Sequence, residues 1–151
     1  MTRTAPWTRI ASVAALVTAA AAFSTPAPKP IPLVIYKNPA CGCCHKWVDY
    51  LQANGFQVTV IDTSNMEPIK ARYGVSQNLA SCHTAKVGGY VIEGHVPADL
   101  IQRLVREHPP VAGLTVPGMV AGSPGMEGPN PQHYDVLSFD PSGNTRVYAR
   151  R

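Results

Sequence analysis

Leu33-Val34-Ile35-Tyr36-Lys37-Asn38-Pro39-Ala40-Cys41-Gly42-Cys43-Cys44-His45 is the stretch that decides how the chain is read. Four apolar residues in a row, bounded by Asn38-Pro39, predict a short buried strand. Downstream, Cys44, Trp47, Val48 and Leu51 fall at i, i+3, i+4 and i+7, which predicts one apolar face of a helix that stops at Asn54-Gly55. Three sulfurs therefore sit at a strand-to-helix turn. A fourth cysteine, Cys82, lies in Ser81-Cys82-His83, and the 151-residue chain has four in all.

Beyond this segment, Phe56-Gln57-Val58-Thr59-Val60-Ile61-Asp62 has the β-branched density of a strand. Ser64-Asn65-Met66-Glu67 has the spacing of a capping box and predicts a helix with Met66, Ile69 and Tyr73 on its apolar side. Thr84 to Val87 and Tyr90 to Gly94, joined by Gly88-Gly89, predict a hairpin. A helix from Pro97 to about His108 follows, with Leu100, Ile101, Leu104 and Val105 apolar. Residues 111–133 are rich in glycine and proline and show no periodicity. Tyr134 to Phe139 and Thr145 to Tyr148 predict a terminal hairpin.

The N-terminus has a different character. Arg3 and Arg9 precede an apolar run from Ile10 to Phe23 with Ala20-Ala21-Ala22 near its end, the pattern of a secretory signal peptide. The run is shorter than the roughly 20 residues a membrane span needs. Residues 1–22 are expected to be removed on export to the periplasm, leaving no stable membrane span. Residues 23–32, with alternating prolines, form a tether, and 33–151 form one domain. Losing Arg3 and Arg9 takes the formal charge from +4 to +2, too weak a field to suggest nucleic acid as a partner. An exported chain meets an oxidising compartment in which cysteines can pair.

The order strand-helix-strand-helix-hairpin-helix, with cysteines at the first strand-to-helix turn, resembles the thioredoxin-like arrangement. The expected fold class is α/β: a four-stranded mixed sheet with helices on both faces, plus a C-terminal Gly/Pro-rich loop and β-hairpin. Cys41 and Cys44 have C-x-x-C spacing. A thiol at a helix N-terminus meets the positive end of the helix dipole, which favours the thiolate. That thiolate is both a nucleophile and a metal ligand, so a thiol–disulfide oxidoreductase using Cys41 and Cys44 stands beside a metal site. Cys43 weighs toward metal, because a third thiol would scramble a redox pair. Cys82 is expected on the loop facing the first three sulfurs, with His95 on the same rim. Thiolates favour Cu(I), and Zn(II) also accepts Cys and His. Met119 and Met126, in the glycine-rich segment, suit either supplementary Cu(I) ligation or packing over an apolar groove. By position, Trp47 and Met66 read as core, His45, His108 and His133 as solvated, and His83 as a loop histidine.

Tyr36 to Cys44, Ser81-Cys82-His83-Thr84-Ala85, Glu93-Gly94-His95-Val96-Pro97-Ala98 and Gly122 to Glu127 together resemble the CopG-type periplasmic proteins. The similarity spans about Leu33 to Val147. It departs from the family's Pro-Gly-Met-Pro at Pro117-Gly118-Met119-Val120. The resemblance implies a thioredoxin-like fold, copper handling by the cysteines, a role in copper resistance, and other periplasmic copper-handling proteins as partners. Neither the residues nor the resemblance chooses between a copper carrier and a copper oxidoreductase.

Overall fold

The structure, a computed structural model, describes residues 28–151. The expected signal peptide lies outside the described residues, as does the first half of the expected tether. Strand β1 runs Ile31–Lys37, beginning inside the expected tether, and buries Leu33, Ile35 and Lys37 by simple alternation. Helix α1 (Gly42–Ala53) buries Cys44, Trp47, Val48 and Leu51, the face its spacing predicts. It returns the chain to β2 (Phe56–Asp62), parallel to β1 and on the sheet edge.

Helix α2 (Glu67–Arg72) starts without a side-chain cap hydrogen bond, so the expected capping box does not form. Asn65 Oδ1 instead accepts from Glu67 N at 3.2 Å. Met66, expected in the core, is half-buried, and Lys70 is the buried residue of this helix. Strands β3 (Thr84–Val87) and β4 (Tyr90–Glu93) form the predicted hairpin, with β3 antiparallel to β1. Helix α3 (Ala98–Glu107) then crosses to β5 (Gly113–Thr115), parallel to β4. Strands β6 (Asp135–Phe139) and β7 (Thr145–Arg150) complete the sheet.

The expected four-stranded thioredoxin-like sheet is incorrect. The sheet has seven strands in the order β2-β1-β3-β4-β5-β6-β7, with three α-helices among the described residues. The difference arises at β5. It is three residues long and all three are buried, so it shows none of the alternation that betrays a half-exposed strand. By pairing with β4 on one side and β6 on the other, it makes the terminal hairpin continuous with the sheet. Consecutive residues of β4 separate the two faces. Ile92 packs with Trp47, Leu51, Ile101 and Leu104 from α1 and α3, while Val91 packs with Val75, Leu79 and Phe139. Among the described residues no helix is long and apolar enough to cross a membrane.

Gly113 is what lets β5 dock. A Cβ there would lie 1.9 Å from the Val91 carbonyl oxygen, so a side chain forces β4 and β5 apart. Gly113→Ala is expected to lower the unfolding free energy by about 1–3 kcal/mol, the usual penalty for overpacking. Denaturant unfolding measures this. An unchanged midpoint would mean that β5 is not seated in the sheet.

Candidate metal centre

The end of β1 leads into a tight turn in which Cys41 N donates to Asn38 O at 3.0 Å and Ala40 N donates to Asn38 Oδ1 at 2.9 Å. This places Cys41 at the N-cap of α1, where its sulfur accepts from Cys44 N at 3.4 Å. Cys41 and Cys44, with Cα atoms 5.3 Å apart, are joined as a disulfide. Cys43 and Cys82 are free thiols. Cys43 Sγ lies 3.4 Å from Cys41 Sγ and 4.0 Å from Cys82 Sγ, and the four sulfurs all fall within 4.8 Å of one another. The structure thus brings together all four cysteines singled out in the sequence. Three come from the first turn of α1 and the fourth from the loop before β3.

Strand register explains the meeting. Tyr36 pairs with Thr84, and Thr84 with Glu93, so the end of β1, the start of β3 and the end of β4 lie side by side. Beneath the Cys82 loop sits a buried polar cluster. Glu93, fully buried, accepts from Ser81 N at 2.6 Å, from Thr84 Oγ1 at 2.7 Å and from the Lys70 ammonium. Lys70 Nζ also donates to Thr84 Oγ1 at 3.2 Å. Burial pushes the Glu93 carboxyl up, while Lys70, Thr84 and Ser81 pull it back toward the ionised form.

The Gly/Pro-rich segment closes the site from above. Ser81 Oγ donates to Gly118 O, and Gly118 N donates to Ala80 O at 3.0 Å. Gly125, at φ +84°, lies so close to α1 that a Cβ would be 2.9 Å from both Cys43 O and Trp47 N. Met126 is half-buried, and Met119 is 61% exposed.

Two histidines complete this end of the molecule. His95 is buried; its Nε2 lies 3.1 Å from Cys82 Sγ and its Nδ1 lies 2.7 Å from Pro124 O. Donation to that carbonyl puts the proton on Nδ1 and leaves the Nε2 lone pair facing the sulfur. His83, read from sequence as a loop histidine, is fully buried. It packs against Trp47 with centroids 4.4 Å apart and places Nδ1 3.4 Å from Cys82 Sγ. Burial lowers the pKa of both rings, that of His83 well below the ordinary value, so both are neutral and able to ligate. Burial and the neighbouring Cys43 push the Cys82 thiol up to about 12, so a cation bound there must displace a proton.

Sequence reasoning missed the Lys70–Glu93 cluster and the placement of Lys37. Lys37 is 1% exposed and donates to Asp62 Oδ1 at 2.8 Å and to the exposed His45 Nε2 at 2.6 Å. The signal was present in both cases as a charged residue in register with buried apolar ones: Lys37 after Leu33 and Ile35, and Glu93 closing an apolar strand.

What emerges is an α/β protein with a cysteine- and histidine-rich candidate metal centre at one end of its sheet. The family described as "Protein of unknown function, DUF411" matches residues 79–126. Two solved structures are similar to the chain, both of a copper resistance protein CopG. The one called form 2 is 41% identical, with a TM-score of 0.77, and the alignment covers 82% of this chain and 99% of that one. Form 1 is also 41% identical, with a TM-score of 0.76 and coverage of 82% and 98%. The chain belongs to the CopG family. No curated protein matches it.

Removing Glu93 would leave the Lys70 ammonium buried without its partner. Glu93→Ala is expected to cost about 3–5 kcal/mol of stability, the range for breaking a buried ion pair from one side. Urea denaturation at neutral pH reads this directly. A cost below about 1 kcal/mol, typical of exposed pairs, would show that the cluster is solvated.

Proposed function

We propose that this chain is an exported copper-binding protein that holds Cu(I) through Cys41, Cys43, Cys44 and Cys82, with His95 as accessory ligand, and so contributes to copper resistance. The observation that carries the reading is the convergence of four sulfurs within 4.8 Å. Soft thiolates select Cu(I), and three of the four sulfurs are presented together by the N-terminal turn of α1. The resistance described for the two CopG structures supports the metal assignment. Zinc is the alternative cargo for the same donors. In this reading residues 1–22 direct export to the periplasm, 23–32 tether the domain, and 33–151 carry the site. Copper is sequestered, delivered to other copper-handling proteins of that compartment, or converted between its oxidation states.

Opening the full four-sulfur set requires the Cys41–Cys44 disulfide to accept two electrons and two protons. A dithiol reductant supplies both and becomes a disulfide itself. The same bridge favours a second reading, a thiol–disulfide oxidoreductase in which Cys41 and Cys44 exchange with client proteins. Cys43, 3.4 Å from Cys41, argues against it as a competing nucleophile.

Anaerobic titration of the reduced protein with Cu(I), in competition with a chromophoric chelator, separates the two. The copper reading expects tight binding that weakens in Cys43→Ser and in Cys82→Ser and vanishes when all four cysteines are replaced. Weak binding that survives all four replacements, together with metal-free reduction of protein disulfides, would establish the oxidoreductase instead.

A further inference from the structure

One buried charge at this end of the sheet has no part in the four-sulfur set. Lys37 closes β1 and takes the core-facing register of Leu33 and Ile35, so its side chain is 1% exposed. Its ammonium is held by two groups that are themselves at the surface. Nζ donates to Asp62 Oδ1 at 2.8 Å and to His45 Nε2 at 2.6 Å, while the Asp62 side chain is 53% exposed and His45 is exposed. An ammonium has no lone pair, so His45 accepts through Nε2 and keeps its proton on Nδ1. We infer that Lys37 is a positioning residue of the metal centre: its ammonium ties the first turn of α1 to the end of β2 and so fixes how Cys41 and Cys43 face Cys82. The inference rests on the copper reading above and adds a residue that acts through the cysteine turn.

Three segments meet at this nitrogen. Lys37 and Asp62 are register partners at the ends of two parallel strands, and Thr63 N donates to Lys37 O at 2.9 Å. That corner is tied by backbone as well as by the ion pair. His45 is the fourth residue of α1 and directly follows Cys44, and its N–H donates to Cys41 O at 3.3 Å. A grip on His45 is a grip on the turn that carries three of the four sulfurs. The turn itself has little hold on the core. Cys44 is buried, but Gly42 is exposed and Cys41 and Cys43 are half-buried, and the apolar anchors Trp47, Val48 and Leu51 come later in the helix. Gly125 meets the turn at Cys43 O, and Lys37 meets it at His45.

Stability does not explain a lysine here. A buried ammonium loses solvation that an apolar side chain of the same length would not, and replacing buried ionic groups by apolar ones is often neutral or stabilising. The charge also bonds to the first turn of a helix, the positive end of its dipole, where α1 carries no acidic residue to offset it. What the ammonium supplies, and a methyl group cannot, is direction. It holds two acceptors on different elements at hydrogen-bond distance. Metal ligands have to be kept within about 0.5 Å of their working geometry by partners outside the ligand set, and Lys37 is placed to be one.

The test uses the metal-free full chain carrying Cys41→Ser and Cys44→Ser, in which Cys43 and Cys82, with sulfurs 4.0 Å apart, are left to bridge under mild oxidation. Adding Lys37→Met is expected to slow that intramolecular bridge by about tenfold or more. The urea midpoint is expected to stay or rise, because the partners left behind are solvated. His45→Ala keeps the ammonium and is expected to slow the bridge as much. The double variant is expected to be no slower than either single one, and His45→Gln, which retains an acceptor, to restore the rate. In the reduced chain with all four cysteines, Lys37→Met is expected to bind Cu(I) about tenfold more weakly. A bridge that forms at the parent rate in Lys37→Met, losses that add in the double variant, or a parent that forms no Cys43–Cys82 bridge overturns the inference. The two His45 variants decide the matter if Lys37→Met fails to fold. Bridge formation needs no copper, which separates the two failures. If Lys37→Met slows the bridge and reduced native protein binds no Cu(I), the copper reading alone fails. If native protein binds Cu(I) and Lys37→Met neither slows the bridge nor weakens binding, the role of Lys37 alone is wrong.

Discussion

A fully buried carboxylate carries the arrangement of this site. Glu93 sits at the end of β4 and gathers a backbone N–H from Ser81, the Thr84 hydroxyl and the Lys70 ammonium. Each of these contacts fixes a different element: the Cys82 loop, the start of β3, and α2. A carboxylate without such partners would not remain charged in the interior, and the partners would be left unsatisfied without it. The loop that presents Cys82 is therefore held from inside the protein.

That constraint acts through the sheet. The end of β1, the start of β3 and the end of β4 are adjacent by register, so the chain segments that leave them meet at one end of the sheet. Helix α1 supplies three sulfurs from a single turn, and the Cys82 loop supplies the fourth. The Gly/Pro-rich segment has little regular structure and is tied down by specific contacts, Gly118 against the Cys82 loop and Gly125 against α1. Its Pro124 carbonyl fixes the tautomer of His95. A segment without periodicity thus shapes both the roof and the electrostatics of the site. Oxidation state adds a further control, because closing Cys41 to Cys44 changes which donors remain.

Much of this was legible in the residues, and the parts that were not share a cause. Periodicity located α1 and its buried face, and β-branched density located β2 with its observed bounds. Glycine placement located the β3–β4 hairpin. The cysteines could be grouped because three are consecutive in space by helical geometry and the fourth lies in a loop flanked by readable elements. Strand β5 left no trace, since three residues buried on both faces carry no alternation, and with it went the true extent of the sheet. The expectation of a four-stranded thioredoxin-like sheet failed there. His83 was misread, and Lys70 passed over, for the opposite reason. Polar residues in a loop and on a short helix are usually solvated, and only long-range contacts with Trp47, His95 and Glu93 show that these two are inside.

The claim on which the rest depends is that the first turn of α1 and the loop before β3 hold their sulfurs face to face in the metal-free chain. The most direct measurement is mild oxidation of a dilute Cys41→Ser/Cys44→Ser variant, followed by mass-spectrometric mapping of the bridge that forms. With Cys43 and Cys82 sulfurs 4.0 Å apart, a rapid intramolecular Cys43–Cys82 disulfide in monomeric protein is predicted. Slow oxidation that yields only intermolecular dimers would contradict it.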